Sequence, residues 1–149
     1  MELKELRVGN VVAVRHKRID DMKEEKRVIK IRSLGTNANI EALNEEGANF
    51  YEWVVDTNAE IYDVGKLDPI QLTVNILKRL RFKSDPVTST MTMYNDRMSV
   101  VYDRTDNTLS ILKHRRPIFE KYIDYLHELQ NVLSLFGIEL NVTTDKVCK

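Results

Sequence analysis

The chain is poor in the residues that most often staple, break or anchor a fold: 149 positions hold one cysteine, one tryptophan, three prolines and five glycines. With Cys148 alone there is no internal disulfide framework. The glycines, at positions 9, 35, 47, 65 and 137, are scattered and build neither a G-x-G-x-x-G turn nor a P-loop, which removes the usual backbone cradles for phosphate. Histidine is also scarce. His16, His114 and His127 are far apart, and no H-E-x-x-H or C-x-x-C spacing accompanies them, so neither a metal nor another cofactor is expected. Nowhere do about 18 apolar residues run together, and the first five positions carry charge without an apolar signal core. The expectation is a cytoplasmic chain with no membrane partner. Finally, neither sign of charge prevails: 23 Lys and Arg face 23 Asp and Glu. No whole-molecule field draws the chain to nucleic acid or lipid, and a nucleic-acid role requires a local basic patch.

What is present is globular. With 42% hydrophobic and 31% charged residues the chain is long enough to bury a core, as one domain or two small ones. Up to residue 62 it reads as short strands: "VGNVVAV" is β-branched, and "RVIKIRS" alternates, with Ile29 and Ile31 on one face. "NIEAL", a turn at residues 44–47, and "ANFYEWVV" follow, the last with Tyr51, Trp53 and Val55 on a shared face. The sequence therefore predicts an SH3-like small β-barrel over residues 1–66. The charged loop at residues 15–27 is a solvated excursion or a partner-binding segment.

Residues 67–149 read as a second unit. Thr73 is placed to N-cap a helix carrying Val74, Ile76, Leu77 and Leu80, which "KSDP" ends. "STMTMY", "RMSVVY" and "TLSILK", separated by Asn95-Asp96 and residues 104–107, predict a three-stranded antiparallel sheet. Pro117 breaks the pattern. Tyr122, Leu126, Leu129, Leu133 and Phe136 then recur in steps of four and three as the stripe of a C-terminal helix, with Gly137 as its left-handed cap and "IEL" as a terminal strand. The expected fold class is α+β.

Two sets of side chains are candidates for function. His127, Gln130, Asn131 and Ser134 share a polar ridge on the closing helix. Glu128 is adjacent to His127 but about 100° away around the helix, and Ser134 has no nucleophile elbow, so the ridge reads as scaffolding rather than as a catalytic site. The second set is basic: Arg15, Lys17 and Arg18; Lys78 and Arg79, with Arg81 and Lys83 close by; and Lys113, Arg115 and Arg116. These supply phosphate contacts if the fold gathers them, with Tyr51, Trp53 or Tyr94 as stacking surfaces.

Three segments carry a resemblance: "ELRVGNVV" at residues 5–12, "PIQLTVNILKRLRF" at 69–82, and "YLHELQNVLSLFGIEL" at 125–140 with its H-x-L-Q-N core. They resemble a family of small uncharacterised proteins of Bacteroidota gut anaerobes, found in prophages and conjugative elements. Family members usually have a Glu-rich, Trp-containing first helix and a glycine before its phenylalanine, where this chain has Val74, Asn75 and Arg81. The resemblance implies a phage or mobile-element setting and no reaction. The expectation is a non-enzymatic binding module, ranked first for a protein partner and second for nucleic acid, with no statement of oligomeric state; a small hydrolase centred on His127 ranks third.

Overall fold

The computed structural model describes residues 1–17, 24–36, 52–140 and 142, without the side chains of residues 16, 17 and 24. It divides into two compact units, Met1–Ile70 with Val142–Lys149, and Gln71–Asn141. The stretch after residue 66 thus stays with the first unit through Ile70. The expected strand at residues 39–43, the turn at 44–47, and Tyr51, Arg18 and Cys148 lie outside the described residues.

The first unit is a five-stranded antiparallel sheet in the order β4-β3-β2-β1-β5, formed by β1 (Val11–Lys17), β2 (Glu24–Thr36), β3 (Glu52–Asp56), β4 (Ile61–Asp63) and β5 (Leu67–Asp68). Entry into β1 depends on the Gly-Asn pair. Gly9 takes φ +94°, Asn10 Oδ1 accepts from the Arg7 amide at 2.7 Å, and the Ile31 amide donates to the Asn10 carbonyl at 2.9 Å. Leu6, Val12, Val14, Ile29, Ile31, Val54, Val64 and Leu67 form the core. In β3 the buried residues are Val54 and Asp56, on the face opposite to Trp53 and Val55. Trp53 instead pairs with Gly35, where a Cβ would collide with the indole ring.

The second unit is a second five-stranded antiparallel sheet, order β10-β9-β8-β7-β6, with two short helices. Its strands are β6 (Lys83–Ser84), β7 (Thr90–Asn95), β8 (Met98–Asp103), β9 (Thr108–Lys113) and β10 (Arg116–Tyr122); the helices are α1 (Val74–Arg79) and α2 (Leu126–Leu135). Met91 and Met93, Val100 and Tyr102, and Leu109 and Ile111 face the same way by register and are all buried, as are Leu126, Leu129 and Leu133 of α2. Phe119 of β10 meets Phe136 edge-to-face at 5.5 Å, which ties the end of α2 to that side of the sheet. Both helices end in the same way. Ile138 donates to the Leu133 carbonyl and Gly137 to that of Ser134; Phe82 donates to Leu77 and Arg81 to Lys78. The left-handed residue is Gly137 (φ +74°) in one and Arg81 (φ +72°) in the other.

These sheets correct the expected fold class. The protein is mostly β, with two open five-stranded sheets, and the described residues close no barrel. The expected three-stranded sheet gains a strand at each edge. β6 is only two residues long and leaves no periodic trace, and β10 contains Pro117, which in sequence has the character of a break. Proline is tolerated there because β10 is an edge strand whose register shifts between Pro117 and Phe119. Tyr122 accordingly belongs to β10 and is exposed, not part of the helical stripe, and α2 starts only at Leu126. Residues 138–140 form no strand. No helix among the described residues is long and apolar enough to cross a membrane.

Candidate functional site

The polar ridge of α2 does not present one surface. His127 is 3% exposed and stacks on Tyr125, with ring centroids 5.9 Å apart; Gln130 and Asn131 are half-buried, and exposed Ser134 donates its hydroxyl to the Asn131 carbonyl at 2.8 Å. Glu128 belongs to the capping box of α2. Its Oε1 accepts from the backbone amides of Asp124 (3.3 Å) and Tyr125 (3.1 Å), so it serves the start of the helix. Nearby, the Tyr102 hydroxyl donates to the Ile123 carbonyl at 2.7 Å. Burial first, then Asp124, Glu128 and Asp106, push this phenol up to about 12. Among the described residues no three His, Cys, Asp or Glu side chains group as metal ligands.

Polar groups of the first unit are engaged within it. Buried Asp56 accepts from the amides of Asn58 and Glu60, both at 2.9 Å, and from the Tyr62 hydroxyl at 3.3 Å, which fixes the turn between β3 and β4. Tyr62 also donates to Glu60 at 2.5 Å; burial first, and this bond second, raise its pKa. Some of its cations are similarly occupied, though Arg7, Lys30, Arg32 and Lys66 make no ion pair among the described residues. Arg15 pairs with Asp68 at 3.2 Å and donates to the Gly65 carbonyl at 2.8 Å; Arg27 pairs with Glu60 at 3.1 Å; Lys26 stands 3.9 Å from Asp68. Lys17 lies in β1, opposite Glu24.

Other basic residues gather at one end of the second sheet. The register aligns Asn95, Met98, Lys113 and Arg116 across β7 to β10. At the usual spacing of about 4.8 Å per strand, this row is roughly 15 Å wide. Beyond it project two hairpin turns, one holding Arg97 and the other His114 and Arg115. Lys83 pairs with Thr92, so the chain leading into β6, with Arg81, runs from the same end, while Lys78 and Arg79 lie in the last turn of α1. All of these cations are exposed, and among the described residues none makes an ion pair. Asp96 is the acidic residue in these turns.

Sequence spacing singles out Lys78, Arg79, Lys113, Arg115 and Arg116 as candidates but cannot show that they meet. It passes over Arg97, a lone arginine in an Asn-Asp-Arg turn. The turn between β9 and β10 has a further peculiarity: His114 (φ +51°) and Arg115 (φ +66°) are both left-handed, the backbone of a type I′ hairpin. Asn-Gly is the preferred pair in that geometry, and each ordinary L-residue costs about 1–2 kcal/mol there. The turn thus displays basic side chains at the expense of stability.

The sheet's second face is half-buried at its centre and exposed at its margins. Tyr94, Ser99, Leu112 and Pro117 form the row nearest the basic end, and Lys83, Thr92, Val101, Ser110 and Glu120 the next. Tyr94 is 75% exposed. Of the other two aromatic residues considered for stacking, Trp53 belongs to the first unit and Tyr51 is outside the described residues. No protein-family model, curated protein or solved structure matches this chain.

Proposed function

We propose that the chain is a non-enzymatic binding module whose second unit holds a polyanionic partner through the cationic end of its sheet. One observation carries this reading: Arg97 of the β7–β8 turn and Lys113, Arg115 and Arg116 of the β9–β10 hairpin come from two chain segments yet reach one sheet end, exposed and without ion pairs among the described residues. Like charges so gathered repel one another, and a bound polyanion relieves that repulsion while releasing its own counterions. A protein, the partner ranked first from sequence, fits this surface only with an acidic face. Nucleic acid carries the complementary charge along its whole length and is the partner favoured here. The phage or mobile-element setting belongs to the same proposal and rests on the resemblance of residues 5–12, 69–82 and 125–140.

The test is fluorescence anisotropy of labelled oligonucleotides and of labelled polyphosphate with the full chain, across a salt series. Affinity is expected to fall steeply between about 50 and 200 mM salt. Replacing Lys113, Arg115 and Arg116 together by Glu should flatten that dependence, by about 0.9 in the log–log slope for each phosphate no longer neutralised, with thermal unfolding unchanged. Absence of binding to every polyanion at low salt sinks the reading.

A further inference from the structure

Resting on that reading, we infer that the nucleic acid is single-stranded and crosses the less buried face of the second sheet, with Tyr94 as the stacking residue at the cationic end. A duplex gives a protein its phosphates and groove edges; a single strand also gives it unpaired base faces, which aromatic side chains on a sheet receive. Tyr94 meets the requirements of such a role. Its side chain stands on that face, 75% exposed, one residue before the Asn95–Met98 row that ends in the cationic turns. An exposed tyrosine of this kind adds nothing to the core, which lies on the other face with Met91, Met93, Val100 and Ile111.

Its neighbours suit a chain lying flat. Half-buried Ser99 stands directly opposite on β8, and Thr92, Val101 and Ser110, also half-buried, make up the adjacent row. These short side chains leave room for bases, and the hydroxyls accept or donate hydrogen bonds to any of them. Lys83 extends the same row at the β6 edge, and Arg81 precedes it, so positive charge lines the platform beside Tyr94 as well as beyond the turns. Glu120 at the β10 edge is the one acidic residue on these two rows, which favours a path for the backbone along the β6–β7 side. Stacking with hydroxyl contacts discriminates weakly between bases, so little sequence preference is expected.

The experiment compares a labelled single strand of about 15 thymidines, within the site sizes usual for such surfaces, with a mixed-sequence duplex of equal length and with polyphosphate. The full chain and its Tyr94→Ala and Tyr94→Phe variants are measured at one low salt concentration. Single-strand affinity should exceed duplex affinity, Tyr94→Ala should weaken it about tenfold or more, and Tyr94→Phe should preserve it. Duplex and polyphosphate binding should be unchanged by either variant. Salt-sensitive binding of single strand and duplex alike, with Tyr94→Ala silent, overturns the inference and leaves the polyanion reading in place. No binding to any of the three probes overturns both. Because Tyr94 is exposed, circular dichroism and thermal unfolding of the variants should match the parent chain.

Discussion

Arg15, Lys26 and Arg27 of the first sheet approach carboxylates of their own unit, Asp68 and Glu60, whereas Lys113, Arg115 and Arg116 at the end of the second sheet meet none among the described residues. The sheets also differ in what covers them. Val11, Val12, Ala13 and Val14 of β1 are buried in succession, so that strand is enclosed on both faces, while β7 and β8 alternate between buried and half-buried, with Tyr94 and Asn95 exposed. Charge that is neutralised locally belongs to the fold; charge and a half-open sheet left without a local partner are the features of a surface that meets another molecule. That contrast explains why composition is a poor guide. A net charge of zero hides a region where Arg15, Lys26 and Arg27 meet carboxylates and a sheet end where one sign collects.

The contrast can be broken at several points. The largest effect should come from the covered face of the second sheet: Leu129→Ala, fully buried in α2, should destabilise by about 2–5 kcal/mol. Val101→Thr on the less buried face should cost under about 1 kcal/mol. Urea unfolding measures both, and equal losses would mean that the two faces are packed alike.

Tyr102→Phe should come next, at about 1–3 kcal/mol, because the Ile123 carbonyl loses its buried donor. The parent phenol is pushed up to about 12, above the ordinary value of 10, so the folded state retains a proton that the unfolded state has released. Its contribution is therefore complete below pH 10 and declines as pH rises from 10 to about 12. Alkaline unfolding should be shallower in the variant.

His114→Asn combined with Arg115→Gly should stabilise the hairpin by about 1 kcal/mol, since both residues suit left-handed backbone, and should weaken polyanion binding. A variant that gains stability and keeps its affinity would separate the strained turn from function. Arg81→Gly, at the end of α1, tests the same trade on a smaller scale, with a gain under about 1 kcal/mol. Smallest of all, Arg15→Ala should cost under about 1 kcal/mol of stability through its exposed pair and leave oligonucleotide affinity within about twofold. A large loss of affinity in that variant would erase the distinction between the two sheets.

Several elements are legible in the sequence because they follow from local chemistry. Thr73 caps α1 by accepting from the Ile76 amide at 3.2 Å, Gly137 closes α2, and Ile29 and Ile31 are buried where their alternation puts them. The meander of β7, β8 and β9 is likewise present, with Asp96 and Asn107 in the left-handed positions that turns require. Other elements are not legible. Tyr122 falls four residues before Leu126 and so matches the helical stripe, although residues 116–122 gain their hydrogen bonds from β9, a partner that periodicity cannot see. Pro117 is a break only if its strand has two neighbours. As for function, each basic cluster is visible along the chain, and the face carrying Tyr94 can be drawn from alternation, but the meeting of these features cannot.

The sequence by itself determined the strand-rich pattern, the helix caps, the core stripe of Leu126, Leu129 and Leu133, and the absence of phosphate-cradle and metal-ligand motifs, because each depends on residues within a few positions of one another. Tertiary structure alone decided that the described residues form five strands in each sheet, that Asp68 neutralises Arg15, and that Arg97 joins Lys113 and Arg116 at one sheet end. Those outcomes depend on pairing between distant segments, where hydrogen bonds and charges a few ångströms apart in space are tens of residues apart along the chain.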